Sequence, residues 1–318
     1  MPWSRSSSPS RRSETIRPPR SGRASSSHRP AAILIAAMLA ACGTQSAHVQ
    51  PTQTPVAAVQ ASPAPAGPPS PAPQPSHVFV IVMENRSYSQ AIAGSYTAQL
   101  ARQYGVASNY RGVTHPSLPN YLAMTSGSTW GVINDGFHSL PAGGLGAQLT
   151  QAGITWRAYM EGMGSDCMRS GNGYALKHDP FPYYGSACPP QVVPLSGFAQ
   201  DMAGDVPRFV WITPNQCHSG HDCSTATADA WLASFVPQIL ATSAWRDGGV
   251  LFVTWDEGED SANSVLTIVI HPGTPVHASE IAYNHYSLLA TIEDALGVPR
   301  LGAAANAWAM SDLMASGG

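Results

Sequence analysis

The sequence predicts an α/β fold: a mostly parallel sheet with helices on both faces, a three-layer αβα sandwich. Three observations predict it. Apolar runs of strand length recur at 77–83, 207–212, 249–255 and 265–270, the pattern of strands buried on both faces. Segments with apolar residues at helical spacing alternate with them. Several runs end abruptly in polar residues, as strands do where open α/β sheets build sites at their carboxyl edge.

Residues 1–30 are rich in Ser, Arg and Pro, and an apolar core at 31–41 follows. That order is a signal peptide, too short to span a bilayer as a helix. Leu39-Ala-Ala-Cys42 resembles a bacterial lipobox, which would place a diacylglyceryl group on Cys42 and make 1–42 a lipoprotein leader. Ordinary cleavage with Cys42 incidental is the alternative. The basic region is long, so the start could lie downstream of Met1. Residues 43–76 are Ala, Pro, Gln and Ser without apolar period and are expected to be a disordered tether. The expected destination is the bacterial cell envelope, lipid-anchored or secreted, with the folded body at 77–318.

Within the body, the strand at 77–83 delivers Glu84 and Asn85. A helix is expected over 96–104. Pro116 and Pro119 favour a helix start near Ser117, where N–H groups and the helix dipole favour both an alkoxide and a phosphate. Ser117 could instead be only a cap, and Thr114 competes as a nucleophile. A helix at 145–152 and a strand at 154–160 follow. Residues 161–200 read as irregular. They carry Lys177-His178-Asp179-Pro180 and three aromatics, which suit a substrate-facing loop or a stapled surface insertion. The strand at 207–212 runs into a short loop holding Asn215, His218 and His221. Apolar residues Trp231, Leu232, Phe235, Ile239 and Leu240 predict an amphipathic helix over 227–245. The strand at 249–255 delivers Asp256 and Glu257, adjacent carboxylates that repel unless a cation lies between them; a solvated turn is the other reading. After a strand at 265–270, a last helix at 283–296 opens with His285.

Beyond Cys42 four cysteines remain, Cys167, Cys188, Cys217 and Cys223. An even number in an exported chain argues for disulfides, and the most local pairing is Cys167–Cys188 with Cys217–Cys223. A zinc site is the weaker rival, for no CxxC spacing occurs. The charge of −3 hides an asymmetry: seven Arg and one acid lie in 1–42, leaving nine Lys/Arg against eighteen Asp/Glu, a balance of −9. So acidic a body is not expected to bind nucleic acid.

Met83-Glu-Asn-Arg-Ser87, Pro116-Ser-Leu-Pro-Asn-Tyr121, Pro214-Asn215 with His218 to Cys223, Thr254-Trp-Asp-Glu-Gly258 and Asn284-His-Tyr-Ser-Leu-Leu289 occur in this order. Together, over about residues 77–298, they resemble the phosphoesterase family of the alkaline phosphatase superfamily. That family includes bacterial non-specific phospholipases C and secreted acid phosphatases. The resemblance implies an alkaline-phosphatase-like fold and Ser117, rather than Thr114, as nucleophile. It implies Glu84, Asn85, Asp256 and Glu257 as ligands of one divalent metal ion. Oxygen donors favour Ca²⁺, Mg²⁺ or Mn²⁺ over Zn²⁺. It implies that His218, His221 and His285 hold phosphate oxygens or act as acid, and that Asn120, Asn215 and His115 contact substrate. The expected activity is an acid phosphatase on monoesters, phosphatidylinositol 3-phosphate among them, through a phosphoserine. The alternative is a phospholipase C-type diesterase. The phospholipases carry extra C-terminal modules, and this chain ends soon after Val298, which favours the monoesterase. A monomer is expected, with its membrane contact made through the lipid.

Overall fold

The first strand, β1 (Val78–Met83), has all six residues buried. Each buried Val, Ile or Phe side chain contributes about 1.5–3 kcal/mol, so this strand is fixed firmly at the centre of the sheet. The computed structural model describes residues 74–273 and 276–314; the leader, Cys42 and most of the tether lie outside them. The last tether residues are already docked: Ser76 N donates to Gly248 O at 3.1 Å and Gln74 to Asp294 O at 2.9 Å.

After β1 come two helices, α1 (Tyr88–Ala91) and α2 (Ser95–Gln103), then β2 (Gly105–Arg111) and α3 (Ser117–Ser126). Next are α4 (Gly144–Gln151), β3 (Trp156–Met160), β4 (Val192–Pro194), α5 (Phe198–Met202) and β5 (Phe209–Thr213). The chain continues through α6 (Thr225–Leu240), α7 (Ser243–Arg246), β6 (Val250–Trp255) and β7 (Ser264–Ile270). It closes with two short strands, β8 (Ala278–Ser279) and β9 (Tyr283–Asn284), and α8 (His285–Leu296).

The strand order is β4-β3-β5-β1-β6-β7-β2-β8, with β9 also on β2. β7 runs antiparallel to β6 and to β2, and the other pairings are parallel. The carboxyl ends of β1, β5 and β6 therefore share one edge. Every residue of these three strands is buried, which requires cover on both faces. Two helix groups supply it: α3 packs on α4 and α8, and α2 packs on α6. The expected sandwich is the observed fold.

Three expectations shift, one of them being that the stretch 161–200, expected to be irregular, holds β4 and the start of α5. The helix expected at 227–245 breaks after Leu240, because the Thr242 hydroxyl accepts from Trp245 N and starts a new turn. β2 was not expected. Its polar Ser108 and Asn109 face outward at a bulge between Ala107 and Tyr110, which breaks the alternation. Helix α3, whose ten residues are all buried, ends at Gly127 in the left-handed region (φ 68°), where a Cβ would sit 2.1 Å from Leu301 O. No helix among the described residues is long and apolar enough to cross a membrane.

Candidate active site

Glu84, Asn85, Asp256 and Glu257 leave the carboxyl ends of neighbouring strands, whose last paired residues are Met83 and Trp255. Two backbone bonds fix that edge. Asp256 N donates to Met83 O at 3.0 Å, and Glu84 N to Ser219 O at 3.0 Å. Asn85 takes a left-handed φ of 48°, a conformation that Asn tolerates better than most residues. Its N–H donates to Asp256 Oδ1 at 3.0 Å.

Ser117 opens α3, buried, and its hydroxyl donates to Glu84 Oε2 at 3.2 Å. Tyr121, one helical turn on, donates its hydroxyl to Glu84 Oε1. His178 Nε2 lies 3.2 Å from Glu84 Oε2 without hydrogen-bond geometry, its ring stacked on Tyr121 at 5.4 Å. The Thr114 hydroxyl instead donates to His115 O, so the geometry favours Ser117 between the two candidate nucleophiles.

Burial pushes the Glu84 carboxyl well above the usual carboxylate range, and the Asp256 charge adds to this. Burial raises Asp256 too, against hydrogen bonds from Asn85 N–H and Ser117. Glu257, half-buried, is pushed up to about 8 by burial and then by Asp256. Two fully buried carboxylates side by side are strongly unfavourable when both are ionised with no cation between them. Among the described residues, no three His, Cys, Asp or Glu side chains are grouped to hold an ion alone. Here, however, Asn85 Oδ1 and Asp256 Oδ2 are buried without partners. With Glu84 and the Ser117 hydroxyl they form an all-oxygen donor set, which fits a hard divalent cation. Glu257 is engaged elsewhere. Its Oε2 lies 2.7 Å from His115 Nδ1 and 3.4 Å from Asn120 Nδ2.

The remaining expected residues divide. His221 faces this region: Nε2 is 3.1 Å from Lys177 Nζ, Nδ1 is 2.7 Å from Asp222, and its ring is 5.4 Å from that of His178. His218 is turned toward Glu161, 2.9 Å away, and stacks on Trp231 of α6. His285 is fully buried, with Nδ1 3.0 Å from the Tyr110 hydroxyl and Nε2 on the Asp256 carbonyl. Burial lowers it to about 4. Both nitrogens are engaged within the protein, on the Tyr110 hydroxyl and the Asp256 backbone, and not turned toward Ser117. Asn120 is likewise internal. It accepts from Val113 N and Thr114 N and donates to Thr114 O and Pro116 O, closing the loop before Ser117. Asn215 Oδ1 accepts from Cys217 N and His218 N, shaping the loop that Cys217–Cys223 closes. The second disulfide is Cys167–Cys188; both pairings match the local expectation.

The sequence assigns no individual role to Tyr121 or Asp135, and places Lys177 and His178 only within a substrate-facing loop, a placement that agrees with their position here. Asp135 Oδ1 accepts from Leu118 N at 3.0 Å, and its Oδ2 lies 2.9 Å from Lys177 Nζ. One signal was available: Lys177 is the only lysine in the 318 residues.

The family model described as the Phosphoesterase family matches residues 93–299. A phosphatidylinositol-3-phosphatase of Mycobacterium tuberculosis is 33% identical over 256 residues, 75% of this chain and 82% of the relative. A phosphate-repressible acid phosphatase of Penicillium chrysogenum is 28% identical over 84% of this chain and 71% of the relative. A solved structure from Vibrio parahaemolyticus, described as a protein in the alkaline phosphatase superfamily, shares the fold. Its TM-score is 0.54 at 11% identity, over 71% of this chain and 67% of that one. Fold, edge geometry and sequence agree: this chain belongs to the Phosphoesterase family, a family of phosphoric ester hydrolases.

Proposed function

We propose that the protein is an acid phosphatase that hydrolyses phosphate monoesters through a phosphoserine on Ser117. The observation that carries the reading is the Ser117 hydroxyl at the head of α3, 3.2 Å from Glu84 Oε2 and beside Asp256. The similarity to two enzymes named as phosphatases supports it.

Glu84, Asn85 and Asp256, with the Ser117 hydroxyl, would hold one divalent ion, which when bound supplies positive charge for the nucleophile and the phosphoryl oxygens. The chain's own groups do the rest. Glu84 accepts the Ser117 hydrogen bond and is placed to take its proton as Oγ attacks phosphorus. The bond from phosphorus to the alcohol oxygen breaks in line, and that oxygen takes a proton from His221. Water then attacks phosphorus and gives its proton to His221, the Ser117–phosphorus bond breaks, and Oγ regains from Glu84 the proton it gave up. The first N–H groups of α3 stabilise charge on the equatorial oxygens.

The loop after α3 exposes Trp130 (43%), Ile133 (81%) and Phe137 (49%), and its Asp135 touches the head of α3. An apolar rim beside a phosphate site suits an amphiphilic monoester such as phosphatidylinositol 3-phosphate. It would also suit a phospholipid diester cleaved in phospholipase C fashion, the second reading. A lipid on Cys42 and the tether would hold the body at the envelope surface.

Phosphate release from p-nitrophenyl phosphate and from phosphatidylinositol 3-phosphate vesicles is expected, with no phosphocholine from phosphatidylcholine. Chelator should abolish it, and Mg²⁺, Ca²⁺ or Mn²⁺ should restore it. Phosphocholine release with inert monoesters would select the diesterase, and activity indifferent to chelator would remove the ion.

A further inference from the structure

Lys177 stands apart in composition and in place. The chain has fifteen Arg and this single Lys, and its ammonium is anchored at the head of the nucleophile's helix. One carboxylate, Asp135, spans two donors there. Oδ1 accepts from Leu118 N–H at 3.0 Å, and Oδ2 accepts from Lys177 Nζ at 2.9 Å. Leu118 is the second residue of α3, next to Ser117, so its N–H has no partner within the helix and is one of the first-turn donors that suit an anion. A planar carboxylate bridging these two donors presents the same pair of anionic oxygens as a phosphate. The Asp135 and Lys177 side chains remain 30% and 20% exposed, so the pair can open to solvent. Lys177 also donates to His221 Nε2 at 3.1 Å, which leaves that imidazole's proton on Nδ1, toward Asp222. Asp135 is one more negative charge in an acidic site, raising Glu257 alongside Asp256. A compact ammonium can pivot between two anions more readily than the bidentate fork of an Arg.

We propose that Lys177 and the Leu118 N–H form the subsite for two phosphate oxygens, and that Asp135 is a built-in placeholder which the substrate's phosphate displaces. The inference rests on the phosphatase reading above. When Asp135 leaves, Lys177 turns its ammonium to the phosphate, and the freed His221 Nε2 takes a proton from solvent, which it then passes to the departing alcohol oxygen. The ordinary alternative is a brace tying the loop after α3 to the turn at Leu176–His178.

Orthophosphate binding, measured by titration calorimetry on the full chain with its divalent ion present, separates the two. Lys177→Gln should weaken orthophosphate by roughly 10- to 100-fold, the range for a hydrogen bond to a charged group. Lys177→Arg should recover most of that affinity. Asp135→Asn, which removes the competing charge, should tighten orthophosphate several-fold. A folded Lys177→Gln protein that binds orthophosphate within twofold of wild type overturns the subsite. Weaker binding by Asp135→Asn overturns the placeholder. If Lys177→Gln does not fold, the wild type decides alone. Acylation of its one lysine, followed by peptide mass, should slow when orthophosphate is saturating, and an unchanged rate counts against the proposal. Turnover is scored separately. An inactive wild type refutes the phosphatase reading, whereas an active one whose orthophosphate affinity ignores Lys177 refutes only this inference.

Discussion

At the scale of single residues, chemistry and direction are separate facts, and sequence supplies mainly the first. Glu84, Asn85, Asp256 and Ser117 were legible because each sits where an apolar run or a Pro-marked helix start fixes its position. The histidines were legible as a group but not one by one. His285 is held between Tyr110 and the Asp256 carbonyl, and His218 is turned to Glu161 and Trp231. Nothing local in sequence says which way a ring points. His221 is the one of the three beside the Lys177 ammonium. His221→Ala should therefore lower kcat about 100-fold, the scale of a lost general acid, and His218→Ala less than about tenfold. Steady-state kinetics on p-nitrophenyl phosphate check this, and equal losses would return both rings to the same role.

At the scale of elements, the buried parallel strands were readable from composition alone, because cover on both faces removes polar alternation. β2 was not readable: its bulge and outward Ser108 and Asn109 erase the signal. Asp135 was hidden for another reason. It reaches the head of α3 from a loop eighteen residues beyond Ser117, a closure only tertiary packing reveals. The loop at 214–223 joins element to site, since Ser219 O accepts from Glu84 N and Asn215 starts the turn that Cys217–Cys223 closes. Replacing both of these cysteines with Ser should lower stability by about 2 kcal/mol, the loop-entropy value for so short a closure. It should lower kcat as well, because His221 loses its frame. Denaturant melts with parallel kinetics check both, and a stability loss with unchanged kcat would show that the loop does not shape the site.

At the scale of the whole molecule, buried acids set the response to pH. Glu293 of α8 is fully buried, with Oε1 accepting from Leu301 N at 2.8 Å, and burial pushes it up to about 8. Asp179 is raised to about 7 by the same cause. The native chain keeps protons that the unfolded chain releases from about pH 4.5 upward. The stability these groups lend is complete below that pH and is lost as pH rises toward 8. Glu293→Gln keeps an acceptor for Leu301 N without titrating. It should raise Tm by a few degrees at pH 8 and change it little at pH 4.5; equal effects at both would contradict the shift.

The proposed catalysis passes through one covalent bond, from Ser117 Oγ to phosphorus. Protein mixed with p-nitrophenyl phosphate, quenched in acid within the first turnovers and digested, should yield a phosphorylated peptide with the phosphate on Ser117. Ser117→Ala should yield none, and its turnover should fall by at least about 1,000-fold with Tm unchanged. Phosphate found on Thr114, or full turnover by the Ser117→Ala protein, would contradict the account.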